Sequence, residues 1–154
     1  MENKKYIHLL LKMINDIKNN NFKIEFESGR YTYSKEITSI FEILEDDYFK
    51  NILKGSRNTH KVGGRVLNNV EDISSLNIVE CIIYLDWLWH VDGSGIATGM
   101  VYKKIKSGKY TLLLERFKEC IENIWNELEL KKKIEMFWNL TMFKRKNNLL
   151  CYNT

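Results

Sequence analysis

Asp86 and His90 are the two residues whose types and spacing come nearest to chemistry in this sequence. Four apart on a helix, they would share a face. A carboxylate there could orient an imidazole for acid–base work, with Ser94 in the following segment. The plainer reading is an ion pair or polar edge, with His90 near a helix C-terminus, where the dipole favours a cation. No nucleophile–base spacing or oxyanion device accompanies them, so no catalytic set is predicted beyond these two candidates. Cys81 lies nine residues before His90, on the opposite side of a helix of 3.6 residues per turn. It reads as a small core residue. His8, His60 and His90 sit in separate segments without metal-ligand spacing. Neither a metal nor a cofactor is expected.

Two glycine-bearing segments invite an anion. The first, Ser56-Arg57-Asn58-Thr59-His60-Lys61-Val62-Gly63-Gly64-Arg65, is polar and basic and reads as a loop. Arg57, His60, Lys61, Gly63, Gly64 and Arg65 are its candidate phosphate- or nucleic-acid-binding residues. The second, Asp92-Gly93-Ser94-Gly95-Ile96-Ala97-Thr98-Gly99, could turn backbone N–H groups and a helix N-terminus toward a phosphate. Against that, it follows a helix, and Thr98 stands where a dinucleotide fingerprint needs glycine. Small residues there more simply let two helices pack closely.

Charge falls in blocks. Lys50, Lys54, Arg57, Lys61 and Arg65 have no acidic neighbour between Tyr48 and Val70. Glu71, Asp72, Glu80, Asp86 and Asp92 have no Lys or Arg between Glu71 and Asp92. Further basic clusters are Lys103-Lys104-Lys106-Lys109, Lys131-Lys132-Lys133 and Lys144-Arg145-Lys146. Lysine outnumbers arginine, whereas base-specific readout favours arginine. Solvated lysines explain the same blocks. Phe137, Trp138, Met142 and Phe143 interleave with the last two clusters, as in a helix that docks on a partner or a membrane surface or one that covers a core at a chain end. Glu42, Glu45, Asp46 and Asp47 form an acidic patch, read as a helix-end charge cluster or as a phosphate mimic.

The elements that must carry these residues are mostly helical. A chain of 154 residues, 44% hydrophobic, with a net charge of +4 and no proline, fits a single globular domain over 1–150 with a frayed tail at 147–154. Ile7, Leu10, Leu11, Ile14 and Ile17 predict a helix over 4–18, stopped by Asn19-Asn20-Asn21. Phe22, Ile24 and Phe26, then Tyr31 and Tyr33, alternate around Ser28-Gly29 and predict a β-hairpin over about 22–33. Ser34 is a candidate cap for a helix through Leu44, with a second segment to Gly55. Asn77 and Glu80 form a capping box. The helix that follows, to about Val91, is apolar nearly all round and belongs at the centre of the domain, enclosed by its neighbours. A helix over 96–107 ends at Gly108. Thr111 then caps a long helix, with a bend or a new helix near 130 where Lys131-Lys132-Lys133 displace the apolar stripe. The fold class is therefore mainly α (α+β), a helical domain with a small N-terminal hairpin. Three cysteines without CxxC spacing point to reduced thiols and a cytoplasmic location. Neither a signal peptide nor a membrane span is expected.

Tyr31-Thr32-Tyr33-Ser34, the segment Glu71 to Asn77, and the glycines Gly99 and Gly108 followed by Leu113-Leu114-Glu115-Arg116-Phe117 together resemble a family of small uncharacterised bacterial and phage proteins. The resemblance covers Tyr31 to Glu119 and implies a mostly helical fold without assigning an activity. The family usually carries Arg-x-x-Arg-Phe-x-x-Gly before its first glycine. Here those positions run from Asp92 to Gly99, and both arginines are absent.

These readings converge on a non-enzymatic interaction protein of bacterial, phage or mobile-element origin with a protein partner, of which an inhibitor of a host defence system such as an anti-CRISPR is one instance. The first alternative is a nucleic-acid or nucleotide binder using the 56–65 loop. The second is an enzyme using Asp86 and His90. Oligomeric state stays open, a homodimer included.

Overall fold

The computed structural model describes residues 2–55 and 70–150, with side chains described for 4–54 and 71–139. It is mainly α-helical with one two-stranded antiparallel sheet. The elements are α1 (Glu2–Lys18), β1 (Ile24–Glu27), β2 (Arg30–Tyr33), α2 (Lys35–Thr38), α3 (Ile40–Leu44), α4 (Asp47–Gly55), α5 (Val70–Ser74), α6 (Ile78–Gly93), α7 (Met100–Lys106) and α8 (Lys109–Leu150). The chain divides into two compact units, Met1–Ile121 and Glu122–Thr154.

In α1 the stripe that reaches the core is Tyr6, Leu10, Met13, Ile14 and Ile17, whereas Leu11 is exposed. Asn20 takes the left-handed conformation at φ 53°, which asparagine tolerates better than most residues. The hairpin forms as the alternation predicts, with Phe26 opposite Tyr31 and Ile24 opposite Tyr33. Ser28 and Gly29 both have positive φ, 52° and 79°. That is the signature of the two-residue turn whose twist suits a hairpin.

Ser34 does not cap α2. Its Oγ accepts a hydrogen bond from the Lys23 N–H at 3.0 Å, closing the base of the hairpin. The Ser39 hydroxyl donates to the Lys35 carbonyl at 2.8 Å, where α2 gives way to α3. This is the local competition with helical bonding that serines offer. Asp46 opens α4 by accepting from the Tyr48 N–H at 2.9 Å.

The capping box of α6 is formed from both sides. The Glu80 N–H donates to Asn77 Oδ1 and the Asn77 N–H to Glu80 Oε2, each at 2.9 Å. Cys81, Ile82, Leu85 and Leu88 are fully buried and join Leu10, Ile40, Tyr110, Leu114 and Phe117 in one core cluster. Each large side chain buried there is worth about 1.5–3 kcal/mol. Enclosure is not complete, however. Asp86, His90 and Gly93 form a short exposed strip at the C-terminal end of α6, and Val79 is exposed near its start, beyond the buried Ile82 and Ile83. The strip carries the ionisable side chains of Asp86 and His90, which water solvates.

Two boundaries differ from expectation. Helix α7 starts at Met100 rather than Ile96, because residues 95–99 form turns around Gly95 and Gly99, both at φ 78°. Helix α8 starts at Lys109, directly after Gly108, whose carbonyl accepts from the Leu112 N–H at 3.2 Å. Thr111 is buried inside the helix rather than capping it. No new helix starts near 130, since α8 runs unbroken from Lys109 to Leu150. Lys131-Lys132-Lys133 are good helix formers, and nothing there removes a backbone hydrogen bond. The Lys132 ammonium lies 3.9 Å from Glu129 and 5.8 Å from the Trp125 ring centroid.

Candidate binding surface on a buried aspartate

Asp86 and His90 both lie on the exposed strip of α6. Partial burial pushes the Asp86 carboxyl above the usual carboxylate range, and His90 nearby pulls it partly back. The Ser94 hydroxyl donates to the Val91 carbonyl at 3.3 Å, tying it to the helix end instead of presenting it to His90. A raised carboxyl is ionised at a cost in the folded state. Its contribution is favourable below the ordinary aspartate range and is lost as pH rises through the folded value. Asp86→Asn is therefore expected to raise the melting temperature slightly at neutral pH, with the gain vanishing below about pH 4. Thermal melts of both chains across that range check it.

The 92–99 segment does not hold an open anion seat. Asp92, only 8% exposed, fills it. Asp92 Oδ2 accepts from the Val101 N–H at 2.7 Å and from the Tyr33 hydroxyl at 2.8 Å, and Oδ1 accepts from the Gly99 N–H at 3.3 Å. The backbone donors that open α7 thus face the chain's own carboxylate. Sequence reasoning placed Asp92 in an acidic block and missed this role. One signal was present: an aspartate in the last turn of a helix opposes the dipole and needs partners elsewhere.

Asp92 also seats the hairpin. The Tyr33 hydroxyl donates to Asp92 and accepts from the Tyr102 N–H at 3.2 Å. Burial first, and the bond to Asp92 second, hold the Tyr33 phenol far above its usual range, so it stays neutral. Tyr33 meets Trp89 edge-on, with centroids 5.2 Å apart, and Trp89 Nε1–H donates to the fully buried Tyr110 hydroxyl at 3.2 Å. On the outer side, Tyr31 stacks on Tyr102 at 5.1 Å and 15°, and Phe26 leans on Tyr31 at 4.7 Å. The Lys106 ammonium lies 5.7 Å from the Tyr102 ring centroid. An aromatic ladder therefore runs from the core at Tyr110 out to Phe26, which is 62% exposed.

Compared with known proteins, the chain matches no family model, no curated protein and no solved structure. Function must be argued from the molecule itself.

Of the remaining candidates, Arg57, His60, Lys61, Gly63, Gly64 and Arg65 lie outside the described residues. His8 is exposed on α1, apart from His90 on α6. Among the described residues no group of three or more His, Cys, Asp or Glu is placed to hold a metal ion. Cys81 and Cys120 are buried free thiols, both pushed up chiefly by burial, and Cys120 Sγ–H donates to the Leu76 carbonyl at 3.7 Å. A nucleophilic cysteine needs the opposite shift. In the acidic patch, Asp46 is engaged by Tyr6 and by the start of α4. No described helix is long and apolar enough to cross a membrane.

Proposed function

We propose that this chain is a non-enzymatic binding protein that engages a protein partner through the outer end of the hairpin ladder. The observation that carries the reading is Phe26, a large aromatic left mostly in water at the tip of a stack whose base is fixed by a buried carboxylate. Phe26 is not needed to attach the hairpin, because Tyr31 and Tyr33 already do that. Rigid, exposed aromatics are the usual anchors of protein interfaces, and a fixed mount lowers the entropy lost on binding. The resemblance to small bacterial and phage proteins supports an origin in such a genome or a mobile element. Within that setting, inhibition of a host defence system is one instance of the function. Reduced cysteines accord with a cytoplasmic site of action.

The test is co-isolation of the tagged chain from its native host, followed by an isotherm with the partner recovered. A stoichiometric protein partner is expected, and Phe26→Glu should weaken it about 30-fold or more while lowering the melting temperature by only a few degrees, since Tyr33 and Tyr102 still hold Tyr31. Full affinity in Phe26→Glu, or no stoichiometric partner, would overturn the reading.

The second reading, a nucleic-acid or nucleotide binder, draws support from the Lys106 ammonium over Tyr102 beside stacked rings. Bases stack on such platforms while lysines meet the phosphates. Arg57, His60, Lys61, Gly63, Gly64 and Arg65 would supply further contacts. It requires affinity for single-stranded nucleic acid that falls steeply with salt and drops in Arg57→Gln and Arg65→Gln chains. A flat salt response removes it. An enzyme built on Asp86 and His90 is removed by full biological activity in His90→Ala.

A further inference from the structure

The unit Glu122–Thr154 carries a surface that the hairpin reading leaves unused. Leu130 and Trp138 are 59% and 61% exposed, and Ile134 and Phe137 are exposed with them. At 3.6 residues per turn these four side chains share one arc of α8. Lys131 falls on one edge of that arc, with Glu135 one turn on beside it, and Lys133 on the other edge, while Lys132 and Asn139 lie on the far side. From Leu130 to Lys146 the sequence holds six cations, Lys131, Lys132, Lys133, Lys144, Arg145 and Lys146, against the single carboxylate of Glu135.

We propose that the arc formed by Leu130, Ile134, Phe137 and Trp138 docks α8 on the surface of an anionic lipid bilayer, with Lys131 and Lys133 reaching the headgroups on either side. The chemistry selects this occupant. An apolar strip with cations along both edges needs a partner that is apolar beneath and negative on both flanks. An anionic bilayer offers that everywhere without a matched groove. Tryptophan is favoured at the headgroup level, and lysine stems lie along the apolar layer while their ammonium groups reach water. Nucleic acid would meet the lysines but leave four large apolar side chains in water. The helix lies on the surface and does not cross it, since no described helix is long and apolar enough to span.

Co-sedimentation of the full chain with vesicles tests this. Vesicles of phosphatidylglycerol mixed with phosphatidylcholine are expected to retain the protein, and pure phosphatidylcholine vesicles are not. The double variant Lys131→Gln and Lys133→Gln should weaken retention about 30-fold, at roughly fivefold per lysine. Trp138→Ser should weaken it on the apolar side. These exposed substitutions leave the core alone, and unchanged helicity by circular dichroism confirms that they fold. Equal binding to both vesicle types, no binding to either, or an unchanged Lys131→Gln/Lys133→Gln chain overturns the proposal. So does a soluble acidic protein that binds the same arc while vesicles do not.

Discussion

Asp92→Ala is expected to lower stability by about 3–5 kcal/mol, the largest loss from any single polar substitution in the described fold. Three donors, the Tyr33 hydroxyl and the Gly99 and Val101 N–H groups, would be left facing a methyl group in a nearly dry site. Each buried donor left unsatisfied costs about 1–3 kcal/mol, and the three do not add fully because they share one acceptor. For a chain of this size the melting temperature should fall by about 10 °C or more. Tyr33→Phe removes one of the donors and should cost about 1–2 kcal/mol. In a double-mutant cycle the combined loss should be smaller than the sum, because the two groups act on each other. Thermal and urea melts of the three variants measure this. Additive losses would show that Tyr33 and Asp92 are not partners.

Gly99→Ala is expected to cost about 2–4 kcal/mol, and Gly108→Ala about half as much. Both glycines sit at positive φ, 78° and 74°, where a side chain costs roughly 1–2 kcal/mol. They differ in what surrounds them. A Cβ on Gly99 would lie 2.6 Å from Tyr31 Cε2, whereas one on Gly108 meets nothing within 4 Å. The Tyr31 ring cannot simply turn aside, because Phe26, Tyr33 and Tyr102 all pack against it. The alanine must therefore lift the hairpin from α7 or unwind the turn before it. Chemical denaturation of the two variants side by side separates the backbone cost, common to both, from the ring contact at Gly99 alone. Equal losses would mean that Tyr31 does not lie over Gly99. Since the proposed partner surface hangs on Tyr31, Gly99→Ala should also weaken partner binding, while Gly108→Ala should spare it.

Local chemistry was readable from the sequence where a single segment decides the outcome. The hairpin follows from the alternation around Ser28-Gly29, because the turn and the pleat both act over a few residues. The capping box at Asn77 and Glu80 is equally local. The apolar content of α6 was enough to place it at the centre of the core, though not to reveal the exposed strip at Asp86, His90 and Gly93. The hydroxyl of Ser34 could cap a helix or close a hairpin, and only the position of Lys23 chose between them. The unbroken course of α8 past Lys131 shows that losing an apolar stripe does not end a helix. Propagation needs only good helix formers and intact backbone bonds. The candidate surface was hidden for a different reason. Tyr33 and Asp92 are 59 positions apart, and Tyr31 meets Gly99 from still farther along the chain. Nothing in either segment names the other. Reading Asp92 to Gly99 as a possible phosphate loop was sound local physics with the wrong anion, since the carboxylate came from the first residue of the segment itself.

That internal anion is the point on which the account turns, and amide NMR tests it directly. Titrating the 15N-labelled chain with inorganic phosphate is expected to leave the Gly99 and Val101 resonances in place, and both amides should exchange slowly with solvent because Asp92 already holds them. Saturable phosphate shifts at those two amides, with fast exchange beforehand, would contradict the account and return the segment to the role of an anion-binding loop.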